Sequence, residues 1–378
     1  GSGSGLEGTQ YVFVSANGTD TENATELQTA YDLAKTKVQV NETWSDSVSA
    51  FIDVNSGNMS AMFMGSSPVS WVSGQTYTIK LDGVEYTGVV DFGSEWDVDM
   101  SSVTAPDGSY STMEVLDQEV VPSTVIVAPG FFNFSSDFLV DDDNVDIVSL
   151  DGNRSVIFNG SGTINVTADN IFLKGIDVQD KNFTIATDLG GLTVENCKGG
   201  DYSFTNTIVS GTFIDCEGGS RCFGSSNSSV SGTFTRCIAG SSSFGENGSI
   251  VSGTFIDCEG GSESFAGTNS SVASGIFTNC KGSNNSFGGY GSIASGTFKN
   301  CYSAAQSFGG GFGASNPTCS GILYNCIASR DSFGGSGTLS GKLFFCRQTQ
   351  LNFTFPTVSG GGITRYCIDG NNNTNNQG

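Results

Sequence analysis

Four carboxylates in the second half of the chain are of the type that glycoside chemistry uses: Asp201, Glu217, Glu259 and Glu263. A hydrolase needs two of them roughly 5–9 Å apart, one acting as acid and the other as base or nucleophile. Glu217 and Glu259 each follow a cysteine, two repeats apart, so they fall in one column two coils from each other. Glu195 and Glu246 are further carboxylates expected on the outside. The repeats surround none of these with the Arg, Lys or Tyr that a polysaccharide lyase needs. The plainer reading is a solvated acidic face, with Asp215 and Asp257 as turn residues. Asp141, Asp142 and Asp143, followed by Asn144, offer the oxygen ligands that Ca²⁺ prefers. They lack EF-hand spacing, and an exposed turn before NVDIVSL accounts for them. No cofactor is expected. The chain contains no histidine, which rules out a Ser-His-Asp or Cys-His site within it.

The eleven cysteines are the other reactive set. Nine of them, from Cys197 to Cys367, are spaced 19, 21, 21, 22, 21, 25, 20 and 21 residues apart. Eight are followed seven residues later by phenylalanine, from Phe204 to Phe353. Framework disulfides vary in spacing and pin loops together. These cysteines repeat at one phase, which points to a column of reduced, buried thiols. Cys222 is the exception. It lies beside Phe223, in the column that Ser203, Ser243, Ser264, Ser286 and Ser307 hold elsewhere, and is expected to point outwards.

A period near 21 with glycine or serine at every second or third position excludes helical repeats. It predicts an all-β fold, a right-handed parallel β-helix with coils of about 21 residues stacked at ~4.8 Å. Three apolar columns would fill its interior. Phe213, Phe234, Phe255, Phe277, Phe298, Leu323 and Leu343 stand three before the cysteine, and the Phe204 series stands seven after it. Val209, Val230, Val251, Ala273, Ala294, Cys319 and Leu339 stand seven before it. The residue preceding the cysteine is mostly Asn or Asp, types that tolerate the left-handed conformation, so a bend is expected there. The glycine five before it, Gly211 to Gly362, reads as a second corner.

Residues 1–10, GSGSGLEGTQ, read as an artificial linker outside the fold. Residues 11–37 give a strand and a helix over Thr25 to Lys37, with Leu27, Ala30, Tyr31 and Ala34 on one face. Thr21, Asn23 or Thr25 would cap that helix, which would close the end of the solenoid. Residues 38–120 hold all three tryptophans and alternating apolar runs, and read as a small inserted antiparallel β domain with its aromatics in the core. The β-helix itself spans 121–370, beginning with wider aliphatic coils. Residues 371–378 form a polar, frayed tail. The longest cysteine step, Cys301 to Cys326, carries GGGFGASNPT and is where an outward bulge is expected.

The formal net charge of −23 speaks against nucleic acid and against an anionic membrane as partners. No segment is long and apolar enough to span a bilayer. Glycosylation sequons such as Asn17, Asn165, Asn227, Asn247 and Asn269 are numerous, as chance supplies in an Asn/Ser/Thr-rich chain.

The segments YVFVSANGTDTENATELQTAYDLAK and STVIVAPGFFNF and the SGTFTNC…SFGG type of coil together resemble the pectin-lyase-like parallel β-helix proteins of phage tailspikes and tail fibres. The resemblance covers 11–37 and 123–370. It implies a structural virion fibre or spike segment, assembled as a homotrimer with other virion proteins and binding a host-surface receptor or glycan. Two alternatives stay open: a β-helix polysaccharide depolymerase working through surface carboxylates, and a secreted cell-surface adhesin.

Overall fold

The alternating pattern of STVIV makes a strand of it, Ser123–Val127, and that strand pairs in parallel with Gln10–Val14 on one side and Val145–Ser149 on the other. The same sheet continues, one strand per coil, through Phe172–Lys174, Thr193–Glu195 and Thr212–Ile214 to Lys342–Phe344 and Ile363–Ile368. The computed structural model describes residues 10–35, 38–52, 59–64, 71–74, 76–94, 96–101, 103–120, 122–179, 183–186, 188–310, 318–329, 331–334, 338–349, 358, 361–369 and 373–377. The chain divides into two compact units, Gln10–Lys35 with Ser123–Gly378, and a second that contains Thr36–Pro122. The first is a parallel β-helix of coils about 21 residues long. Its early coils have three sheet-forming faces, with Gly130–Phe134 and Phe138–Val140 starting two further three-stranded sheets.

From Cys197 to Gln348 strands are two or three residues long, and side chains hold the stack together. Among the described residues all three predicted inner columns are buried. The rings of Phe234 and Phe255 stack at 4.9 Å and 2°, and Phe244 meets Phe234 edge-on at 84°. Every cysteine is free and buried. The thiols of the column donate to strand carbonyls of the preceding coil, as Cys237 Sγ does to Phe213 O at 3.3 Å and Cys258 Sγ to Phe234 O at 3.4 Å. Burial in this apolar core pushes the Cys197, Cys237 and Cys280 thiols up, so they stay protonated at neutral pH.

The bend before the cysteine is present at all nine positions, with φ between 50° and 56° from Asn196 to Tyr366. Arg236, Phe345 and Tyr366 adopt it as well, so the stack imposes the conformation even where the residue does not favour it. The Asn and Asp side chains also bond each other along the axis. Asn279 Nδ2 donates to Asp257 Oδ1 at 2.9 Å, and Asn300 Nδ2 to Asn279 Oδ1 at 3.1 Å. The phenylalanines seven after the cysteine are left-handed too, Phe244 at φ 50° with Gly245 following at 84°. The glycine five before the cysteine sits at a corner, as expected: Gly275 lies at the bend between Val272–Ala273 of one sheet and Ile276–Thr278 of another. A Cβ on Gly275 would stand 2.3 Å from the Gly253 carbonyl oxygen of the coil below, so the reason for glycine there is close backbone approach between coils.

Cys222 corrects an expectation. It is fully buried, as are Ser203, Ser243, Ser264, Ser286 and Ser307. The turn aims this column inwards, where Ser243 Oγ accepts from the Cys222 backbone N–H at 3.3 Å. Burial pushes the Cys222 thiol up to about 12.

The helix runs Asp20–Lys35, starting five residues and ending two residues upstream of the prediction. Its cap is Thr19. Glu22 Oε2 accepts from Thr19 N at 2.8 Å while Glu22 N points to Thr19 Oγ1 at 3.4 Å, a capping box. The expected caps Thr21, Asn23 and Thr25 lie inside the helix, and Asn23 is buried, its Nδ2 donating to Phe131 O at 3.0 Å. Leu27, Ala30, Tyr31 and Ala34 pack into the same core as the first coils. At the other end, Thr374–Gln377 pairs antiparallel with Ile363–Ile368, so this stretch is a strand where a frayed tail was expected. Asp369 Oδ1 takes the Asn373 N–H at 2.9 Å. Phe353 and residues 311–317 of the GGGFGASNPT stretch lie outside the described residues.

The second unit is a closed six-stranded antiparallel barrel. Its core is Val, Ala, Ile, Leu and Met, including Met59, Met100 and Met113, with Phe63 as its one buried aromatic among the described residues. Against expectation, Trp96 is 57% exposed and Trp71 half-buried, because a barrel this narrow is filled by smaller side chains. The Trp44 side chain lies outside the described residues.

Candidate functional site

The residue after each cysteine leaves the bend pointing outwards, and parallel pairing stacks these residues into a ladder. Asp177, Lys198, Glu217, Ile238, Glu259, Lys281 and Tyr302 follow one another in register. Glu217 and Glu259 therefore do share a column, with Ile238 between them. Each turns to a cation. Glu217 is held by Lys198 Nζ at 3.1 Å and Arg154 Nη1 at 2.5 Å, and Glu259 by Lys281 Nζ at 2.6 Å. Burial alone would raise the Glu217 carboxyl, but its bonds to Lys198 and Arg154 hold it below the usual carboxylate range.

After the bend the first Phe/Cys coils read Lys198-Gly-Gly-Asp201 and Glu217-Gly-Gly-Ser220. With Gln179, residues Lys198 to Asp201 and Glu217 to Gly219 line a polar groove of about 370 Å³. Glycine forms its floor for a steric reason: a Cβ on Gly219 would lie 2.2 Å from Asp201 Oδ1, and one on Gly218 would lie 2.4 Å from Cys222 Sγ. Asp201 Oδ1 accepts from Ser220 N at 2.6 Å, which fixes its carboxylate at the rim. Arg154 reaches in from the turn of an earlier coil and also donates to Asp215 O at 2.6 Å. Beside the groove, the Arg221 guanidinium lies 5.5 Å from the Tyr202 ring and donates to its hydroxyl, with Nε 3.2 Å from Glu246 Oε1.

Of the predicted site residues, the fold brings Glu217 and Asp201 into one groove. Glu259 lies two coils up the ladder and outside the groove lining. Glu263 accepts a 3.4 Å bond from Ser242 Oγ. Glu195 is paired with Lys174 at 2.7 Å. Glu246 is buried where exposure was expected, because Arg221 and Ser226 Oγ satisfy it. The expectation that these carboxylates lack basic company is overturned: Arg154, Lys174, Lys198, Arg221 and Lys281 each pair with one. Reading only along the chain missed them, although Lys198 stands at the same phase as Glu217. Asp141 pairs with Lys35 at 2.7 Å, Asp142 accepts from Asn144 N at 2.9 Å, and Asp143 accepts from Asp169 N at 2.7 Å. Among the described residues no group of three His, Cys, Asp or Glu side chains is placed to hold a metal ion. A larger recess of about 520 Å³ beside the helix is lined by Phe13, Leu33 and three threonines. Its acids are occupied locally, Glu22 by Thr19 and Glu26 by Ser15.

Fold and ladder together define an all-β protein of the parallel β-helix class with coils of about 21 residues. No family model and no curated protein matches the chain. Two solved structures are similar in part. The catalytic domain of a GH87 alpha-1,3-glucanase in complex with tetrasaccharides is 11% identical, with a TM-score of 0.30, over 89% of this chain and 86% of that one. The tailspike gp61 of Pseudomonas phage phi297 is 13% identical, with a TM-score of 0.16, over 88% of this chain and 62% of that one. Likenesses at these scores carry no functional argument.

Proposed function

We propose that this chain is a rigid, non-catalytic appendage segment of a virion fibre or spike type that binds an extended host-surface glycan. The groove from Gln179 to Gly219 carries the reading. Its glycine floor lets a ligand approach the backbone closely, and its rim mixes an amide, a lysine and two carboxylates, the donors and acceptors that sugar hydroxyls match. Glu217 is pinned by two cations and kept ionised, which suits a fixed hydrogen-bond acceptor and leaves it no proton to donate as an acid near neutral pH. The eleven free thiols fit assembly in a reducing compartment, as inside a host cell.

The test is a titration of the full chain with a panel of cell-surface oligosaccharides, followed by calorimetry. Saturable binding should weaken about tenfold, 1.4 kcal/mol, in a Lys198→Ala, Asp201→Ala double variant. Release of new reducing ends that Glu217→Gln abolishes would replace this reading with the depolymerase one. Unchanged binding in the double variant would remove the groove from the argument.

A further inference from the structure

The long sheet is flat where sheets normally twist. Adjacent strands are ordinarily rotated by roughly 20–25°. Here the rings from Phe213 to Phe298 repeat with interplanar angles of 4°, 2°, 5° and 4° and centroid spacings of 5.1, 4.9, 4.9 and 4.8 Å. Successive strands thus superimpose almost by translation alone. Each of these rings is the inward residue of a three-residue strand, so the residues on either side of it face out.

Those outward residues form two ranks in register. Thr212, Thr233, Thr254, Ile276 and Thr297 make the first, and Ile214, Thr235, Ile256 and Thr278 the second. The grid repeats at about 4.8 Å along the axis and at about 6.7 Å across it, two residues of a strand. Every residue on it is β-branched and uncharged, in a chain whose net charge is −23. Glu195 and Lys299 bound the second rank. Among the described residues none of these threonine hydroxyls bonds another protein group, and none of the nine side chains is fully buried.

We propose that this face binds ice. The axial repeat is close to the spacing at which water molecules repeat along the basal axes of hexagonal ice. Alternating methyl and hydroxyl groups on a plane let water settle into lattice positions, anchored by the hydroxyls and caged over the methyls. Charged groups would hold hydration shells out of register, and the nine positions of the two ranks carry none. A neutral, planar, periodic surface complements a neutral, planar, periodic ligand. A planar polysaccharide would call for exposed aromatic rings to stack on, and the two ranks carry none. This surface is separate from the groove and does not depend on glycan binding there.

The full chain in dilute buffer, observed around a single ice crystal, should shape it into facets and hold its freezing point below its melting point beyond the colligative value. Thr235→Lys, at the centre of the second rank, should abolish the gap, while Tyr302→Lys, an exposed position after the bend, should leave it intact. Matched circular dichroism and melting curves establish that both variants fold. Absence of a gap in the parent, or equal gaps in parent and Thr235→Lys, overturns the proposal. Retention on crystalline cellulose or chitin, or a dimer, that Thr235→Lys removes without any ice effect overturns it in favour of those occupants.

Discussion

The first coils and the later coils of the same β-helix are held together by different means. Between Ser123 and Ile185 strands reach five residues and the interior is Val, Ile, Leu and Phe, so long backbone ladders and aliphatic packing suffice. Between Thr212 and Phe344 strands fall to two or three residues, and two or more side chains per coil take left-handed conformations. Order there comes from columns: stacked rings, thiols donating to carbonyls, buried serine hydroxyls and axial amides. The difference teaches that a coil can give up strand length if identical residues meet their own kind one coil away. Stacked ladders of this kind also suppress sheet twist, which accounts for the flatness of the later coils.

Breaking a column should therefore do most damage. Phe255→Ala removes a ring stacked on both neighbours, and should cost about 3–5 kcal/mol. Because coils couple only to adjacent coils, we expect it to split urea unfolding into two transitions. Ile147→Ala in the first coils, at about 2–5 kcal/mol, should shift a single transition instead. One transition in both variants would dissolve the contrast.

Gly275→Ala comes next, because its Cβ would meet the Gly253 carbonyl at 2.3 Å. A loss of about 1–3 kcal/mol is expected from the overpacked contact. Gly190, in an earlier coil, has open space around its Cβ position, and its alanine variant should stay within about 0.5 kcal/mol of the parent. Thermal melts of the two variants make the check.

Tyr31→Phe probes the capped end. It strands the Asp141 and Asp142 N–H groups, which the hydroxyl accepts at 2.9 and 3.1 Å, for about 1–3 kcal/mol. Burial pushes this phenol up to about 12, while an unfolded tyrosine titrates near 10. The contribution is thus fully present below about pH 10 and lost as pH rises towards 12, so parent and variant should converge in alkali.

The smallest effect belongs to the exposed pair in which Arg236 grips Asp215 through Nε at 2.6 Å and Nη2 at 2.7 Å. Asp215→Asn should cost about 0.2–1 kcal/mol. The Arg236 bond holds the Asp215 carboxyl below its ordinary range, so the deficit is present above about pH 4 and should fade as pH falls through the lowered value.

Much of this contrast was legible in the chain itself. The 21-residue phase of Cys and Phe identified the three inner columns and the bend, because a solenoid places equal phases at equal depth. Phase alone did not tell inward from outward at Cys222 and its serines, since a turn with two left-handed residues re-aims them. Nor did it reveal the groove. Glu217 and Asp201 could be named from residue type, but Arg154 is 63 positions from Glu217 and arrives only when the coils stack.

Composition and periodicity by themselves determined the class of fold, the buried thiols and the exclusion of histidine chemistry, because these depend on residue type and repeat length. Only the tertiary structure decided which carboxylates are pinned by cations, why each coil needs its glycine, and that the threonine ranks lie on a plane. Those depend on the distance and rotation between one coil and the next, set by how the columns pack.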